Sequence, residues 1–249
     1  MRVSAHRGGS EATPAGSLAA YAAAIAAGVD LIEFDVRRSA DGVLFCLHDA
    51  SIDELGDTTM LTWHQIRSAR PTVPTCAELL ALAAGSVGLH VDLKESHYEL
   101  DVVALVIEHS GTLADAVFTS LDDRSVGAIR HAHPDAHVAL SLGRDMGGHG
   151  SLRTLAVRAG ELVPFRRIAR SGATAVAAHH RLVTPALRWF CRRHGLTLMV
   201  WTVNDERRMQ RLSPRIDVLI TDRPVTALMI RERSSLRSAP AENRRAPGT

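Results

Sequence analysis

Residues 2–9 read RVSAHRGG, a short apolar run that ends on a His-Arg pair and two glycines. The same punctuation recurs along the chain. Further strand-like runs are LIEFDV (31–36), GLHVDL (88–93), AVFTS (116–120), HVALSL (137–142), TAVAA (174–178), LTLMVWTV (196–203) and DVLIT (217–221). Helical patterns separate them over 17–27, 76–84, 101–110, 124–133, 162–171, 185–194, 205–212 and 225–233. Strands that alternate with crossover helices imply a parallel sheet. Eight such units in about 230 residues are the size of a (β/α)8 TIM barrel. The alternative is an open doubly wound sheet. Its dinucleotide-binding form opens on G-x-G-x-x-G at the first strand-helix junction, and HRGG is not that pattern.

Two segments fall outside the repeat. Residues 37–75 read as a small insertion after the second strand: a turn at Ala40-Asp41-Gly42, a short strand over 43–47 and a connecting loop. Residues 143–160, with GRDMGGHGS, read as a Gly-rich mobile loop. Thr13-Pro14 reads as the start of the first helix, Thr as cap and Pro in the first turn. From Ser234 the chain is polar, with Pro and Arg, and reads as a disordered tail (234–249) behind one domain of 1–233.

Composition narrows the function. The 249 residues can bury a sizeable core, and 46% hydrophobic with 22% charged residues is ordinary for a soluble globular protein. A net charge of +2 gives no reason to expect nucleic acid, and no basic stripe with interleaved aromatics stands out. No apolar run is long enough to span a membrane. The five residues before His6 leave no space for a signal peptide, and Cys46, Cys76 and Cys191 form no pair pattern. A reducing, cytoplasmic setting is expected. Lys94 is the only lysine among 29 basic residues. Against an arginine-rich background, a retained lysine points to a need for a compact ammonium.

Polar residues collect at the predicted strand ends, where active sites of such barrels sit. His6 and Arg7 end the first strand. Glu33 and Asp35 lie two apart on the second and so face one side, with Phe34 turned the other way. Asp92 and Lys94 repeat that spacing on the third. His48-Asp49 closes the inserted strand, Trp201 and Asn204 end the seventh, and Thr221-Asp222 end the eighth. A buried carboxylate pair costs several kcal/mol unless a counter-charge is present. A hard divalent cation on Glu33, Asp35 and Asp92 would supply it, as Mg²⁺ or Ca²⁺. A network neutralised by Arg7, Arg37 or Arg38 is the alternative. His6 and His48 can supply the acid and base of a phosphodiester displacement, while Arg7 and Lys94 hold phosphate oxygens and Gly8-Gly9 lets the backbone approach them. His179-His180 end the sixth strand as weaker substrate candidates.

HRGG, EFD, DGVLFCLHD, VDLK, WTVN and TDRP, in this order from His6 to about Pro224, resemble the glycerophosphodiester phosphodiesterases. The resemblance implies a (β/α)8 enzyme that cleaves glycerophosphodiesters to glycerol 3-phosphate and an alcohol. It implies His6 and His48 as acid/base pair, Glu33, Asp35 and Asp92 as ligands of a divalent cation (Mn²⁺ among the candidates), and Arg7 and Lys94 at the phosphate. Trp201 resembles an aromatic wall of the substrate pocket. Two positions depart. Pro14-Ala15-Gly16-Ser17 stands where the family reads Pro-Glu-Asn-Thr, so Ala15 replaces an acid, for which Glu11 is a stand-in candidate. Asp92 replaces a usual Glu, which makes VDLK similar to the related sphingomyelinase D group. Other readings are therefore a phospholipase D-like activity on lysophospholipids, or a barrel that binds phosphorylated ligands without turnover.

Overall fold

The computed structural model describes residues 1–143 and 164–238, the side chains of 236–238 excepted. Its strands are β1 (Arg2–His6), β2 (Leu31–Arg38), β3 (Leu44–Cys46), β4 (Ser51–Ile52), β5 (Gly56–Asp57), β6 (Gly88–Leu93), β7 (Ala116–Ser120), β8 (His137–Leu142), β9 (Ala175–His179), β10 (Thr197–Trp201) and β11 (Val218–Thr221). Eight of these, β1, β2 and β6 to β11, pair in parallel around a closed barrel, and β11 returns to β1 with Ala5 opposite Thr221. The expected (β/α)8 barrel is the observed fold.

Helices cover the outside: α1 (Leu18–Ala26), α2 (Trp63–Ala69), α3 (Cys76–Ala83), α4 (Glu99–Ser110), α5 (Asp123–Ala132), α6 (Phe165–Ser171), α7 (Pro185–Arg193), α8 (Glu206–Leu212) and α9 (Pro224–Ser238). Strand side chains alternate between two cores. Val3, Ile32, Phe34, Val91, Phe118 and Leu219 point outward to the helices. Leu31, Ala139, Ala177, Met199 and Ile220 fill the lumen. Burying one such large side chain is worth about 1.5–3 kcal/mol, so the outward layer holds the helices on.

Several local readings need correction. The first helix does not start at Thr13-Pro14. Gly16 takes a left-handed turn (φ 81°) and donates to the Arg7 carbonyl, and Ser17 then caps α1 by accepting from Ala20 N. The insertion is more than a loop. β3 folds back antiparallel on β2, β4 and β5 form a hairpin, and α2 is set off by a Thr62/Gln65 capping box around one buried residue, Ile66. α9 runs to Ser238, past the expected end of order at 233, with the Ser234 and Ser235 hydroxyls bonded to carbonyls four residues back. The Gly-rich loop reading falls on residues outside those described, apart from Gly143.

His90 lies inside the barrel between Ser4 Oγ (3.1 Å) and Thr119 Oγ1 (3.2 Å). Burial disfavours its cation and brings its pKa from 6.5 down to about 4. Stability from the neutral ring is whole above about pH 6.5 and is lost as pH falls toward 4. Chelator-treated wild type should therefore lose about 2 kcal/mol more than His90→Asn between pH 7 and pH 5, read from urea midpoints. Equal losses would show that His90 is not buried neutral.

Candidate active site

Parallel register assembles the site. His6 stands opposite Glu33, Glu33 opposite His90, Asp35 opposite Asp92, and Asp92 opposite Thr119. All point into the lumen, so residues as far apart in sequence as His6 and Thr119 form one row across four adjacent strands. A cavity of about 240 Å³ opens there, lined by His6, Glu33, Asp35, His48, Asp92, Lys94 and Trp201 among others. Arg7 lies just outside it. It lines an adjoining recess of about 180 Å³ with Ala15, Gly16, Asp35 and His48.

The three acids each offer an oxygen within 4.8 Å of the others. Lys94 Nζ sits 2.6 Å from Asp35 Oδ1 and 2.6 Å from Asp92 Oδ2. Burial opposes its charge, yet the two carboxylates hold the ammonium above its usual range. Asp35 is likewise buried, but Lys94 pulls its carboxyl below the ordinary value. Glu33 gains no such partner. Burial first, and then the Asp35 charge, push it up to about 8. Asp35 Oδ2 is buried without a hydrogen bond.

The arginines do not neutralise this set. Arg37 pairs with Glu95 and donates to the His48 and Leu47 carbonyls, and Arg38 pairs with Asp101. Arg7 gives Glu33 only its backbone N–H (Oε2 at 2.8 Å), and its own Nε is buried without a partner. Three clustered carboxylates, one ammonium and an orphaned buried oxygen suit a hard cation with oxygen ligands.

Each histidine of the cavity is oriented through its Nδ1. His6 Nδ1 meets Asp222 Oδ1 at 2.6 Å, and Asp222 Oδ2 accepts from Asn204 Nδ2 at 2.6 Å. Asn204 Oδ1 in turn accepts from Thr221 Oγ1 and the Asp222 N–H. His6 Nε2 faces Glu33 at 4.0 Å. Burial lowers the His6 pKa, but Glu33 and the Asp222 bond outweigh it and leave the value raised. His48 Nδ1 lies 3.0 Å from Asp49 Oδ1, with its side chain half exposed. Trp201 is fixed by its Nε1 bond to Ala177 O and an edge contact with His179 at 5.3 Å. His179 and His180 are not among the cavity residues; His180 Nδ1 is tied to Thr202 O.

Two neighbouring readings change. Gly8 and Gly9 (φ 79° and 85°) serve the fold's own packing. A Cβ on Gly8 would lie 2.8 Å from the α1 backbone, and one on Gly9 would lie 2.7 Å from Pro224. Glu11 does not reach the site. It accepts from Val225 N and Thr226 Oγ1 at the start of α9.

A family model, "Glycerophosphoryl diester phosphodiesterase family", matches residues 6–226. The chain belongs to this family of phosphoric diester hydrolases. It is 28% identical over 247 residues to glycerophosphodiester phosphodiesterase GDPD4 of Arabidopsis thaliana, covering 89% of this chain and 70% of that one. With the glycerophosphodiester phosphodiesterase of Caldanaerobacter subterraneus it shares 24% over 253 residues, 91% of this chain and 96% of the other. Among solved structures, a putative glycerophosphoryl diester phosphodiesterase from Silicibacter pomeroyi superposes with a TM-score of 0.78 at 23% identity, covering 94% of each chain. An Oleispira antarctica phosphodiesterase, solved in complex with the product sn-glycerol-3-phosphate, gives 0.75 at 18% identity over 93% of this chain and 97% of that one.

Within this phosphodiesterase fold, sequence reading missed the groups that orient the site. Asp222 and Asn204 stood at strand ends without a role, and Thr119 and His90 lay in runs that read as plain strand. Thr119 Oγ1 donates to Asp92 Oδ1. It therefore accepts from His90 Nε2–H, and His90 Nδ1 accepts from Ser4 Oγ. A polar row on the inward face of β6 and β7 was the available signal. Partners of this kind are worth about 10–100-fold in metal affinity. Thr119→Val should weaken divalent-cation binding by that factor in calorimetry. Unchanged affinity would mean that the Thr119 bond does not orient Asp92 for an ion.

Proposed function

We propose that the protein hydrolyses a glycerophosphodiester to glycerol 3-phosphate and an alcohol. The observation that carries this reading is one cavity in which Glu33, Asp35 and Asp92 converge between His6 and His48. Glu33, Asp35 and Asp92 would hold a divalent cation, Mg²⁺ or Ca²⁺ with Mn²⁺ as a further candidate. When bound, the cation stabilises negative charge that develops on the phosphoryl oxygens.

The chain's own residues supply the rest. Lys94 presents its ammonium from the end of β6, two strands from His6, and Arg7 adds a guanidinium from the adjoining recess, so the phosphate is held by two cations. A hydroxyl of the glycerol attacks the phosphorus and the alcohol oxygen leaves, which forms a cyclic phosphate. Water then opens the ring. In the first step one histidine takes the hydroxyl proton and the other gives a proton to the leaving oxygen; in the second step their roles reverse. Asp222 and Asp49 keep the two Nδ1 atoms engaged, which leaves each Nε2 for proton transfer. Trp201 forms the apolar wall beside the alcohol.

Turnover of glycerophosphocholine with Mg²⁺, Ca²⁺ or Mn²⁺, and glycerol 3-phosphate as product, is the expected result. His6→Ala and His48→Ala should each cost about 10²–10⁴-fold in kcat. Folded protein without turnover under any of these metals, or near-wild-type rates in both variants, would overturn the reading.

A further inference from the structure

Charge is distributed very unevenly along this chain. Residues 162–204 contain seven arginines and no Asp or Glu, a net +7, which leaves net −5 on the rest of a chain whose total is +2. The arginines are Arg166, Arg167 and Arg170 on α6, Arg181 after β9, and Arg188, Arg192 and Arg193 on α7. α6 and α7 are neighbours on the outer wall, clasped by Phe165 against Phe190 at 4.5 Å.

On α7 the pattern is sharper. Leu187 and Cys191 are buried toward the barrel. Pro185, Arg188, Trp189, Arg192 and Arg193, at i, i+3, i+4, i+7 and i+8, form the opposite stripe and line a shallow groove. Trp189 is 66% exposed, an unusual place for so large an apolar ring. Among the described residues only Arg167 of the seven meets an acid, Asp123 at 3.6 Å. Arginines on an outer helix are ordinarily a solvated face that alternates with acids. An acid-free segment around a bare indole departs from that pattern. The sequence reading found no basic stripe with interleaved aromatics; this stripe carries a single ring, and helical spacing is needed to see it.

We propose that the α6–α7 face docks on an anionic lipid surface. Trp189 would sit at the polar-apolar boundary that indole prefers, and Arg188, Arg192 and Arg193 would meet lipid phosphates around it. A nucleic acid fits less well. α7 lies flat with one side buried on the barrel, so it cannot enter a groove, and a single ring offers no track of stacking faces. The stripe begins at the barrel end that carries the cavity, because Arg181 and Pro185 follow directly on β9. From there it runs along the side of the barrel, with Arg192 and Arg193 at the end of α7 that lies farthest from the cavity. The surface does not depend on the reaction proposed above, and its test reads no turnover.

The test is sedimentation of the full chain with phosphatidylcholine vesicles, with and without phosphatidylglycerol. Binding is expected only to the anionic vesicles and should fade as salt rises. Arg192→Glu with Arg193→Glu should weaken it at least ~tenfold. Arg67→Glu with Arg70→Glu, the same charge change on α2 and its cap across the barrel, should leave most binding intact. Brominated lipid should quench tryptophan emission in wild type, and much less in Trp189→Phe. Equal binding to neutral vesicles, equal loss in the two charge variants, quenching that survives Trp189→Phe, or tighter binding to an RNA or DNA oligonucleotide would each overturn the proposal.

Discussion

Lys94 bridges Asp35 and Asp92 at 2.6 Å on either side, and much of the site depends on that ammonium. Three carboxylates converge at the barrel mouth because β2 and β6 run parallel in register and alternate their side chains. A guanidinium is planar and broad, whereas an ammonium is a point charge that fits between two facing carboxylates. This gives a physical reason for one lysine in a chain that otherwise uses arginine. It also divides the acids. Asp35 is held ionised by Lys94, while Glu33, which faces only His6 at 4.0 Å, is pushed toward its neutral form by burial and by Asp35.

A second level of order surrounds this centre. His6 is aimed by Asp222, which is aimed by Asn204, which reads the backbone of the following turn. Arg7 is held at positive φ (51°), a strained conformation for a non-glycine residue, and its N–H then reaches Glu33. Asp92 is one methylene shorter than the Glu that the family resemblance leads one to expect. Thr119 and Lys94 fix it from both sides, so its position is set by neighbours as well as by length.

The barrel was legible in the sequence because its signal is periodic. Apolar runs such as GLHVDL and AVFTS match β6 and β7 residue for residue. The set Glu33, Asp35, Asp92 and Lys94 was legible for the same reason, since a spacing of two on a strand fixes the face. What failed to show depends on contacts between distant residues. Nothing local marks Thr119 as a partner of Asp92 or Asp222 as a partner of His6. Thr13-Pro14 carries a sound cap signal, yet Gly16 and Ser17 override it because the chain must first bond back to Arg7. Net charge misled in another way: a total of +2 is the sum of a basic wall and an acidic remainder.

If the acidic cluster is built for a cation, the ion must displace the proton that burial and Asp35 hold on Glu33. Calorimetric titration of the chelator-treated protein with Mg²⁺ or Ca²⁺, repeated in buffers of different ionisation enthalpy, counts that proton. With Glu33 near 8, binding at pH 7 should release close to one proton per ion, and the release should fade above about pH 9. Absence of binding, or binding at pH 7 without proton release, would contradict a cation site built on Glu33, Asp35 and Asp92.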